Sequence, residues 1–430
     1  MKRAILTAYQ TLSTLLLPVI VLALLLRART QSAYGKRIGE RLGYCPKPCT
    51  KAKPLKGSIV IHGASLGEIS ALKPFIEQVI EYFPQHLITV TSFTPAGSSQ
   101  IQKLFGLRVN HAYLPIDNPL CNSLFLSRLK PNAMVFMETE LWPSLIAQAH
   151  KRNIKLLLIN ARLSPKSVRR YKKINLLIQP ALQRFNRVLT QSDDNKARFL
   201  QLGAQVKSTL TTGNLKYDLQ ASDKTYALIH QLKQAINNRP IWVVGSSHQD
   251  EEALILSAFN QVRLQHPNVL LVLAPRHSER FEPIAVQLQN QGLNFVKRSQ
   301  PQTPNNSTHV WLIDTIGELL AFYGVATVCT VAGSFGKTGG HNPLEPALFS
   351  KAATLGPNMQ NAEQLTAQLL AANGIIQQQN SNSQTLANHI IRLLNAPKER
   401  EILGNNAHAL LQTNQGATQK ALQALIELMA

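Results

Sequence analysis

The feature that most constrains the fold is a regular alternation of short apolar segments with longer amphipathic stretches, which begins after residue 54. The apolar segments have the composition of buried strands, and the stretches between them, of roughly 10 to 20 residues, have the periodicity of amphipathic helices. This alternation predicts an α/β fold with parallel, doubly wound sheets. The predicted strands are residues 58–62, 87–92, 109–114, 133–137, 155–160, 188–191 and 208–212 in a first series, and residues 241–245, 269–273, 294–296, 310–314, 327–332 and 352–355 in a second series.

The two series of strands indicate two similar domains in tandem, since a polar stretch at residues 218–239 separates them. A chain of 430 residues has room for two to three domains at about 150 residues each. We predict an N-terminal segment at residues 1–30, a first domain at residues 31–220 and a second domain at residues 221–430, whose last helix is able to pack back on the first domain. Two such domains imply a cleft between them, with ligands at the carboxyl ends of the strands.

The charge of the chain indicates an anionic partner. The sequence has 45 Lys and Arg residues against 23 Asp and Glu, a formal net charge of +22. We expect no nucleic-acid partner, because the positive residues are spread through the chain and aromatic residues make up only 6%. No RNP-like aromatic box, paired Cys/His finger or basic zipper is present in the sequence.

The cysteines indicate neither a disulfide framework nor a zinc site. Cys45, Cys49, Cys121 and Cys329 have no regular spacing, and Cys45 and Cys49 lack the second pair that a structural zinc site needs. We therefore expect reduced thiols in a cytoplasmic compartment.

The N-terminus carries a segment without formal charge at residues 5–26. At about 1.5 Å per residue it reaches across a hydrocarbon core of about 30 Å. A cleaved signal peptide, a spanning anchor and an apolar helix lying in the interface are the three interpretations. Five basic residues follow the segment, which disfavours a cleavage site and favours two domains held in the cytoplasm against an anionic leaflet. These residues are Arg27, Arg29, Lys36, Arg37 and Arg41.

Two carboxylates of the first domain follow predicted strands. Glu68 lies in the turn after the first strand, where Gly63 and Gly67 allow close backbone approach, and Glu138 lies at the end of the fourth strand. Paired carboxylates beside the apolar Trp-Pro at residues 142–143 suit a general base with an orienting partner. As alternatives, Glu68 only complements a helix dipole, and Glu140 is the N-terminal charge of the next helix.

The second domain carries the predicted anion site. Arg276 follows a strand, and arginine makes bidentate contacts with phosphate. Residues 331–345 form a glycine-rich turn that opens a helix, with Asn342 as its predicted N-cap and Pro343 as its first residue. The free backbone N–H groups at that N-terminus form a phosphate site.

Missing motifs narrow the class of enzyme. Gly336-Lys337-Thr338 resembles the end of a P-loop, but the first glycine of that motif would fall at Val331. No G-x-G-x-x-G dinucleotide motif and no Asp-x-Asp pair for a metal-bound sugar nucleotide occur in the sequence. The remaining interpretation is a metal-free transferase that holds a nucleotide's phosphate and activates an acceptor hydroxyl with a carboxylate.

These residues carry a resemblance to a known family. The sequence resembles the 3-deoxy-D-manno-octulosonic acid (Kdo) transferase family of Gram-negative lipopolysaccharide synthesis, whose members are GT-B type glycosyltransferases. The resemblance covers essentially the whole chain. Besides the N-terminal apolar helix, it rests on motifs at residues 34–41, 67–68, 137–143, 160–164, 213–216, 275–277, 317–318 and 339–345.

The resemblance implies a metal-independent, inverting enzyme without a cofactor, which moves Kdo from CMP-Kdo to the lipid A precursor (lipid IVA), more than once. The first domain would bind the acceptor and the second the nucleotide sugar, at the cytoplasmic side of the cell inner membrane. Glu68 matches the catalytic base, and Glu138 and Lys216 match residues that stabilise the transition state. The matching CMP-binding residues are Pro275, Arg276, Ile316, Gly317, Glu318, Asn342, Pro343, Leu344 and Glu345.

Within that site, we expect Arg276 and the helix N-terminus to bind phosphate and Glu345 to bind the ribose hydroxyls. Two other interpretations stay open. The first is a membrane-bound scaffold for lipid A or a nucleotide that does no chemistry, and the second is a GT-B enzyme that uses a UDP-sugar.

Overall fold

A computed structural model describes residues 2–45, 56–236 and 239–430 of the chain. The chain divides into two compact units, Met1–Asp218 with Gln415–Ala430 and Leu219–Asn414. Each unit contains a seven-stranded parallel sheet. The predicted α/β class and the two doubly wound sheets are therefore confirmed.

The first sheet has the strand order β3-β2-β1-β4-β5-β6-β7, and the second has the order β10-β11-β9-β8-β12-β13-β14. The reversal of direction from β1 to β4, and again from β8 to β12, is that of a doubly wound sheet. The strands of the first sheet are β1 (Gly57–His62), β2 (His86–Ser92), β3 (Asn110–Tyr113), β4 (Ala133–Met137), β5 (Lys155–Ala161), β6 (Arg187–Thr190) and β7 (Thr209–Thr211). Those of the second are β8 (Ile241–Ser247), β9 (Leu270–Pro275), β10 (Phe295–Lys297), β11 (Val310–Leu312), β12 (Val328–Val331), β13 (Ala353–Leu355) and β14 (Ile376–Gln377).

Every predicted strand is present, with ends that differ by at most two residues. The prediction missed β14, because a two-residue, half-buried strand is too short to show a hydrophobic period. The central strands are apolar throughout because both faces of the sheet are covered. In β1, for example, Val60 belongs to one core cluster, and its neighbours Ile59 and Ile61 belong to the cluster on the other face.

Helices cover both faces of the sheets. In the part of the chain that includes the first sheet they are α1 (Lys2–Leu15), α2 (Leu17–Thr30), α3 (Ile38–Arg41), α4 (Leu66–Tyr82), α5 (Pro95–Phe105), α6 (Pro119–Leu129), α7 (Pro143–Lys151), α8 (Pro165–Lys173), α9 (Asn175–Leu182) and α10 (Asp193–Gln201). The helices that follow are α11 (Asp223–Ala235), α12 (Gln249–Gln265), α13 (Phe281–Asn290), α14 (Leu319–Val325), α15 (Leu344–Ala347), α16 (Glu363–Ala371), α17 (Ser383–Asn395), α18 (Pro397–Thr413) and α19 (Ala417–Met429).

The last helix, α19, belongs to the first unit. It packs against α4 and β5, and its buried residues Ala421 and Leu425 join the core cluster that includes Ile59. Asp218 fixes its start, because the Asp218 carboxylate accepts bonds from the N–H groups of Gly416 at 2.6 Å and Thr418 at 2.5 Å.

The apolar N-terminal segment forms two helices rather than one. The break falls between α1 and α2, which meet at 48°. Pro18 lies in the first turn of α2, where its missing N–H and fixed φ are tolerated, whereas inside a longer helix they are not. Within the described residues, no single helix has the length and apolarity to cross a membrane, although the bent pair Ala4–Leu15 and Leu17–Thr30 together meets these two criteria.

The cysteines that the structure describes are buried free thiols, at Cys45, Cys121 and Cys329. Cys49 lies outside the described residues.

Candidate functional site

Glu68 is held in the first turn of α4. Its carboxylate accepts bonds from the Ala64 N–H and the Ser65 hydroxyl, both at 2.9 Å, while the Ser65 oxygen caps the helix by accepting from the Glu68 N–H. A Cβ at position 63 would come within 2.9 Å of a Leu72 methyl group, which would have to shift, so glycine packs here most easily. Ser65 thus caps the helix, and Glu68 is a fixed, partly exposed carboxylate beside the carboxyl end of β1.

Glu138 and Asn160 end the neighbouring strands β4 and β5 in left-handed backbone conformations, with φ of 56° and 52°. Such conformations are strained for residues other than glycine, and strain of this kind is concentrated at functional sites. The side-chain oxygen of Asn160 accepts a bond from the Leu215 N–H at 3.1 Å. This bond ties the turn that carries Lys216 to the same edge of the sheet.

The strand-end charges of the first unit act on one another. Burial, and then the charges of Glu138 and Glu140, raise the pKa of Glu68, although the Ala64 N–H opposes this shift. Burial also raises the pKa of Glu138, and the cations of Lys216 and Arg162 oppose that shift. The structure therefore brings Glu68, Glu138 and Lys216 together at one edge.

Sequence reasoning missed Arg162 as a member of this group. Its signal was available, because Arg162 follows directly after β5, as Glu138 follows β4.

Glu140 does not cap the next helix. Helix α7 begins at Pro143, its N-cap is Trp142, and no side chain caps it. The Glu140 carboxylate instead accepts a bond from the Trp142 indole N–H at 2.9 Å, and its Oε2 lies 3.4 Å from Nε2 of the buried His62. The alternative in which Glu140 serves as the helix's N-terminal charge is therefore wrong, because its carboxylate is turned to the indole and the imidazole.

In the second unit, Arg276 and the exposed His277 follow β9 directly, and the Arg276 N–H donates to the Ser247 carbonyl at 2.9 Å. Pro275 is the last residue of β9 and is buried. The Arg276 side chain is exposed. It therefore remains available for an anionic ligand at the carboxyl edge of this sheet.

The glycine-rich turn after β12 is fastened by a carboxylate that sequence reasoning missed. Glu251, in the first turn of α12, is fully buried and accepts bonds from the N–H groups of Gly333 at 2.5 Å and Phe335 at 3.1 Å. Gly340 has a φ of 79°, and a side chain there would come within 2.2 Å of the Met359 sulfur. Residues of the second unit thus fix the conformation of this turn.

The helix after this turn begins one residue later than predicted. It is α15, four residues long, and its N-cap is Pro343 rather than Asn342. Asn342 keeps part of the expected role, because its side-chain oxygen accepts a bond from the Leu344 N–H at 3.2 Å. The first helical residue is Leu344, and the helix predicted to contribute its dipole to the phosphate site is a single turn.

Three histidines form a cluster near Arg276, whose charge acts on two of them, His248 and His341. The Nε2 atoms of His248 and His341 are 2.8 Å apart, and the ring of His277 lies 5.3 Å from that of His248. Burial, followed by the charge of Arg276, lowers the pKa of His341 to about 4. Burial raises the pKa of Glu345 to about 7, and Arg276 opposes this shift. The charge of Arg276 therefore acts on the ionisation of Glu345.

Residues 316–318 lie in the loop before α14. Ile316 is 67% exposed, and Gly317 has a φ of 99°, which favours glycine. Glu318 accepts a bond from Arg298 at 2.9 Å and another from the Thr315 hydroxyl. The described partners of Glu318 are thus Arg298 and Thr315, rather than Arg276 or Glu345.

Among residues 2–45, 56–236 and 239–430, no three His, Cys, Asp or Glu side chains are grouped so that they could hold a metal ion.

The fold and the strand-end groups define a class: α/β proteins with two doubly wound domains. A solved structure of the same fold is that of UDP-GlcNAc 2-epimerase from Neisseria meningitidis bound to UDP-GlcNAc. It superposes with a TM-score of 0.55 at 14% sequence identity, over 86% of this chain and 99% of that one. At this identity the likeness concerns the fold alone.

Sequence comparison gives the family. Residues 36–219 match the sequence model of the family described as 3-deoxy-D-manno-octulosonic-acid transferase (kdotransferase). The 3-deoxy-D-manno-octulosonic acid transferase of Haemophilus influenzae is 36% identical over 97% of both chains. That of Bordetella pertussis is 31% identical over 86% of this chain and 87% of its own. The chain belongs to the Kdo transferase family.

Proposed function

We propose that the protein transfers Kdo from CMP-Kdo to the lipid A precursor lipid IVA, more than once, in lipopolysaccharide biosynthesis. Membership of the family supports the reaction. The observation that carries the proposal is the geometry of Glu68, a carboxylate fixed by Ala64 and Ser65 at the same sheet edge as Glu138 and Lys216.

The catalytic step begins at Glu68. Its carboxylate accepts the proton of the acceptor hydroxyl while the hydroxyl oxygen forms a bond to the anomeric carbon of Kdo. The bond between that carbon and the phosphate oxygen breaks, and its electron pair leaves with CMP. Attack from the face opposite the phosphate inverts the configuration. A raised pKa suits the base, because proton transfer is most effective when the pKa of the base approaches the working pH.

The cations take the role that a metal ion has in other transferases. Lys216, beside Glu138, stabilises the transition state by offsetting negative charge on the donor's carboxylate or departing phosphate. Arg276 is exposed, so it binds the departing phosphate, and Glu345 binds the ribose hydroxyls. Arg276 and Glu345, together with the other CMP-binding positions matched to the family, form the CMP site. With two cations in these roles, the reaction needs no metal ion.

The N-terminal helices supply the membrane contact in this proposal. Large apolar side chains are exposed along α1 and α2, and the basic residues 27–41 follow them. The exposed side chains are Leu12, Leu15, Leu16, Val19, Leu22, Leu25 and Leu26. Apolar area of this kind inserts into the interface, and the basic residues are attracted to anionic lipid. We place the protein on the cytoplasmic side of the cell inner membrane.

The test is the reaction itself. Purified full-length protein is incubated with CMP-Kdo and detergent-dispersed lipid IVA, and the lipid product is analysed by mass spectrometry. We expect products with one or more added Kdo residues, unchanged yield in excess EDTA, and inhibition by CMP but not by UDP. Absence of a Kdo-bearing lipid, or inhibition by UDP in preference to CMP, would overturn the proposed donor. A strict requirement for added magnesium would overturn the metal-free mechanism.

A further inference from the structure

Glu140 is a carboxylate that is fixed through one oxygen only. Its Oε2 accepts the indole N–H of Trp142 at 2.9 Å and lies 3.4 Å from Nε2 of His62, while the side chain remains 22% exposed. His62 is itself buried, with its Nδ1 at 3.0 Å from the Thr91 hydroxyl. Among the residues that the structure describes, none donates a hydrogen bond to the Glu140 Oε1 atom. A carboxylate already held in place can accept a ligand's hydrogen bond with little further loss of conformational entropy.

An aromatic surface lies next to this carboxylate. The rings of Phe93 and Trp142 are 5.5 Å apart and inclined by 34°, and both side chains are partly exposed. Arg41 packs against Phe93 from within the domain, with its guanidinium 5.3 Å from the ring centroid and only 1% of the residue exposed. The orientation of the aromatic pair is therefore set by the interior of the first unit.

The aromatic pair is connected to the loop that holds Glu68. The N–H groups of Phe93 and Thr94 donate to the carbonyl of Ala64 at 3.2 and 3.1 Å. The N–H of the same Ala64 donates to the Glu68 carboxylate. Ala64 thus bonds to the segment that carries Phe93 through its carbonyl, and to the proposed base Glu68 through its N–H.

We infer that Phe93, Trp142 and Glu140 form the subsite that holds a sugar ring of the acceptor beside Glu68. A sugar ring has an apolar C–H face and an edge of hydroxyl groups. The aromatic rings offer a surface for the face, and the open oxygen of Glu140 accepts a bond from the edge. This inference rests on the proposed function, since it names the part of the protein that binds the acceptor in that reaction.

The first test is a kinetic comparison with Glu140→Gln. Glutamine keeps an oxygen that accepts the Trp142 N–H, so the fold is preserved, but it lacks the charge and the second oxygen. We expect the acceptor KM to rise about tenfold, the loss of one hydrogen bond to a charged group, while CMP affinity stays within about twofold. The matched control is Glu81→Gln, which removes an exposed charge from the same unit and should change neither value.

The pH profile of the rate reports the loss of the Glu140 charge. Because the Glu140 charge helps to raise the pKa of Glu68, Glu140→Gln should shift the acid limb of the rate profile to lower pH. A structural role alone would lower thermal stability without raising the acceptor KM, so the acceptor KM is the value that identifies the subsite. An acceptor KM within about twofold of wild type would overturn the subsite.

The second test measures binding without donor or chemistry. Of the three tryptophans, Trp242 and Trp311 are at most 1% exposed, so a ligand that touches the protein surface should alter the emission of Trp142. The probe is the lipid A precursor stripped of its acyl chains, which keeps the sugar rings. We expect a saturable change in wild type, a weaker affinity in Glu140→Gln, and no change in Trp142→Phe.

The two tests distinguish failure of the subsite from failure of the proposed function. If wild type transfers Kdo but its emission does not respond to the probe, or Trp142→Phe responds equally, the subsite is wrong and the function stands. If the emission of Trp142 responds and Glu140→Gln weakens the response, but no Kdo is transferred, the sugar subsite stands and the proposed reaction is wrong.

Discussion

The phenolic oxygen of Tyr9 lies 3.0 Å from Oδ2 of Asp117 and joins helix α1 to the interior of the first unit. Asp117 is only 5% exposed, and its carboxylate also accepts the main-chain N–H groups of Ser144 and Leu145 at the start of α7. None of the described side chains of α1 and α2 is itself fully buried, so the Tyr9 bond fixes α1 by reaching inward to a buried partner. The Tyr9–Asp117 bond therefore fastens α1 to the first unit, and exposed apolar side chains continue from the end of α1 along α2.

Tyr9→Phe should lower the free energy of unfolding by about 1 to 3 kcal/mol, because it removes a donor from a buried carboxylate. The measurement is urea unfolding of the full-length protein in detergent. Tyr82→Phe, at a tyrosine that is 55% exposed, is the matched control and should change the value by less than about 0.5 kcal/mol. Equal effects of the two changes would contradict the importance of the Tyr9 bond.

Replacing Val19, Leu22 and Leu25 of α2 by glutamine should abolish salt-resistant binding to vesicles of anionic lipid. These side chains are 47–60% exposed, so the changes should leave unfolding and CMP binding unaltered. The variant should still bind at low salt through its basic residues and dissociate as salt rises, since surface attraction is screened within about 8 Å near physiological ionic strength. Sedimentation with vesicles gives the result. Release of the unaltered protein by high salt alone would show that α2 is not inserted.

Glu68→Gln should reduce turnover by roughly 10² to 10⁴-fold while CMP binding is unchanged. Glutamine retains an oxygen for the Ala64 N–H, so the cap of α4 is largely kept. In wild type the rate should rise with pH through the raised pKa of Glu68, because only the ionised carboxylate accepts a proton. Initial rates with detergent-dispersed acceptor provide the measurement, and near-normal turnover would reject Glu68 as the base.

Arg276→Ala should weaken CMP binding by about 1.5 to 3 kcal/mol, the range for a hydrogen bond to a charged group. Cytidine lacks the phosphate, so its affinity should hardly differ between the two proteins. Isothermal titration of both ligands into both proteins makes the comparison. An equal loss for cytidine and CMP would assign Arg276 to the base or to folding instead.

The stability of the second unit should depend on pH through Glu345, whose pKa burial raises from 4.5 to about 7. Between these two values the folded state binds more protons than the unfolded chain. The contribution of this group is therefore fully present below pH 4.5 and is lost as pH rises to about 7. The difference in unfolding free energy between wild type and Glu345→Gln should fall across this window.

Two internal checks accompany that measurement. The lowered pKa of His341 gives a slope of opposite sign, but both proteins retain His341, so its effect cancels in the difference. Arg276→Ala removes the charge that opposes the shift, and the window should then extend to higher pH. A difference that is constant from pH 4.5 to 7 would contradict the assignment to Glu345.

Most of the fold could be predicted from the sequence because the strands of a parallel sheet are buried on both faces. Segments such as β4 (Ala133–Met137) are apolar at every position, which makes them visible without knowledge of their neighbours. The break near Leu16 was harder to predict, since hydropathy alone does not separate two short helices from one long helix. Pro18 was a signal for it, although proline is also tolerated in the first turn of a helix.

The candidate site was predictable only in part. Glu138 could be found because it directly follows β4, and Glu68 because it lies in the turn and helix start after β1, and the carboxyl ends of parallel strands meet at one edge. Glu251 and His62 could not, because their roles come from partners 82 and 78 residues away, Gly333 and Glu140. Such long-range pairings of buried polar groups leave no periodic trace in the sequence.

The carboxylate of Asp218 that holds the start of α19 has a consequence for synthesis of the chain. The unit that carries Glu68 is discontinuous, since its last helix follows the whole of Leu219–Asn414. As the ribosome makes a chain from its N-terminus, the interior of this unit stays open at the place of Ala421 and Leu425 while the second unit is made and folds. Burial of this part of the first unit's core is therefore completed only after Leu219–Asn414 has been synthesised.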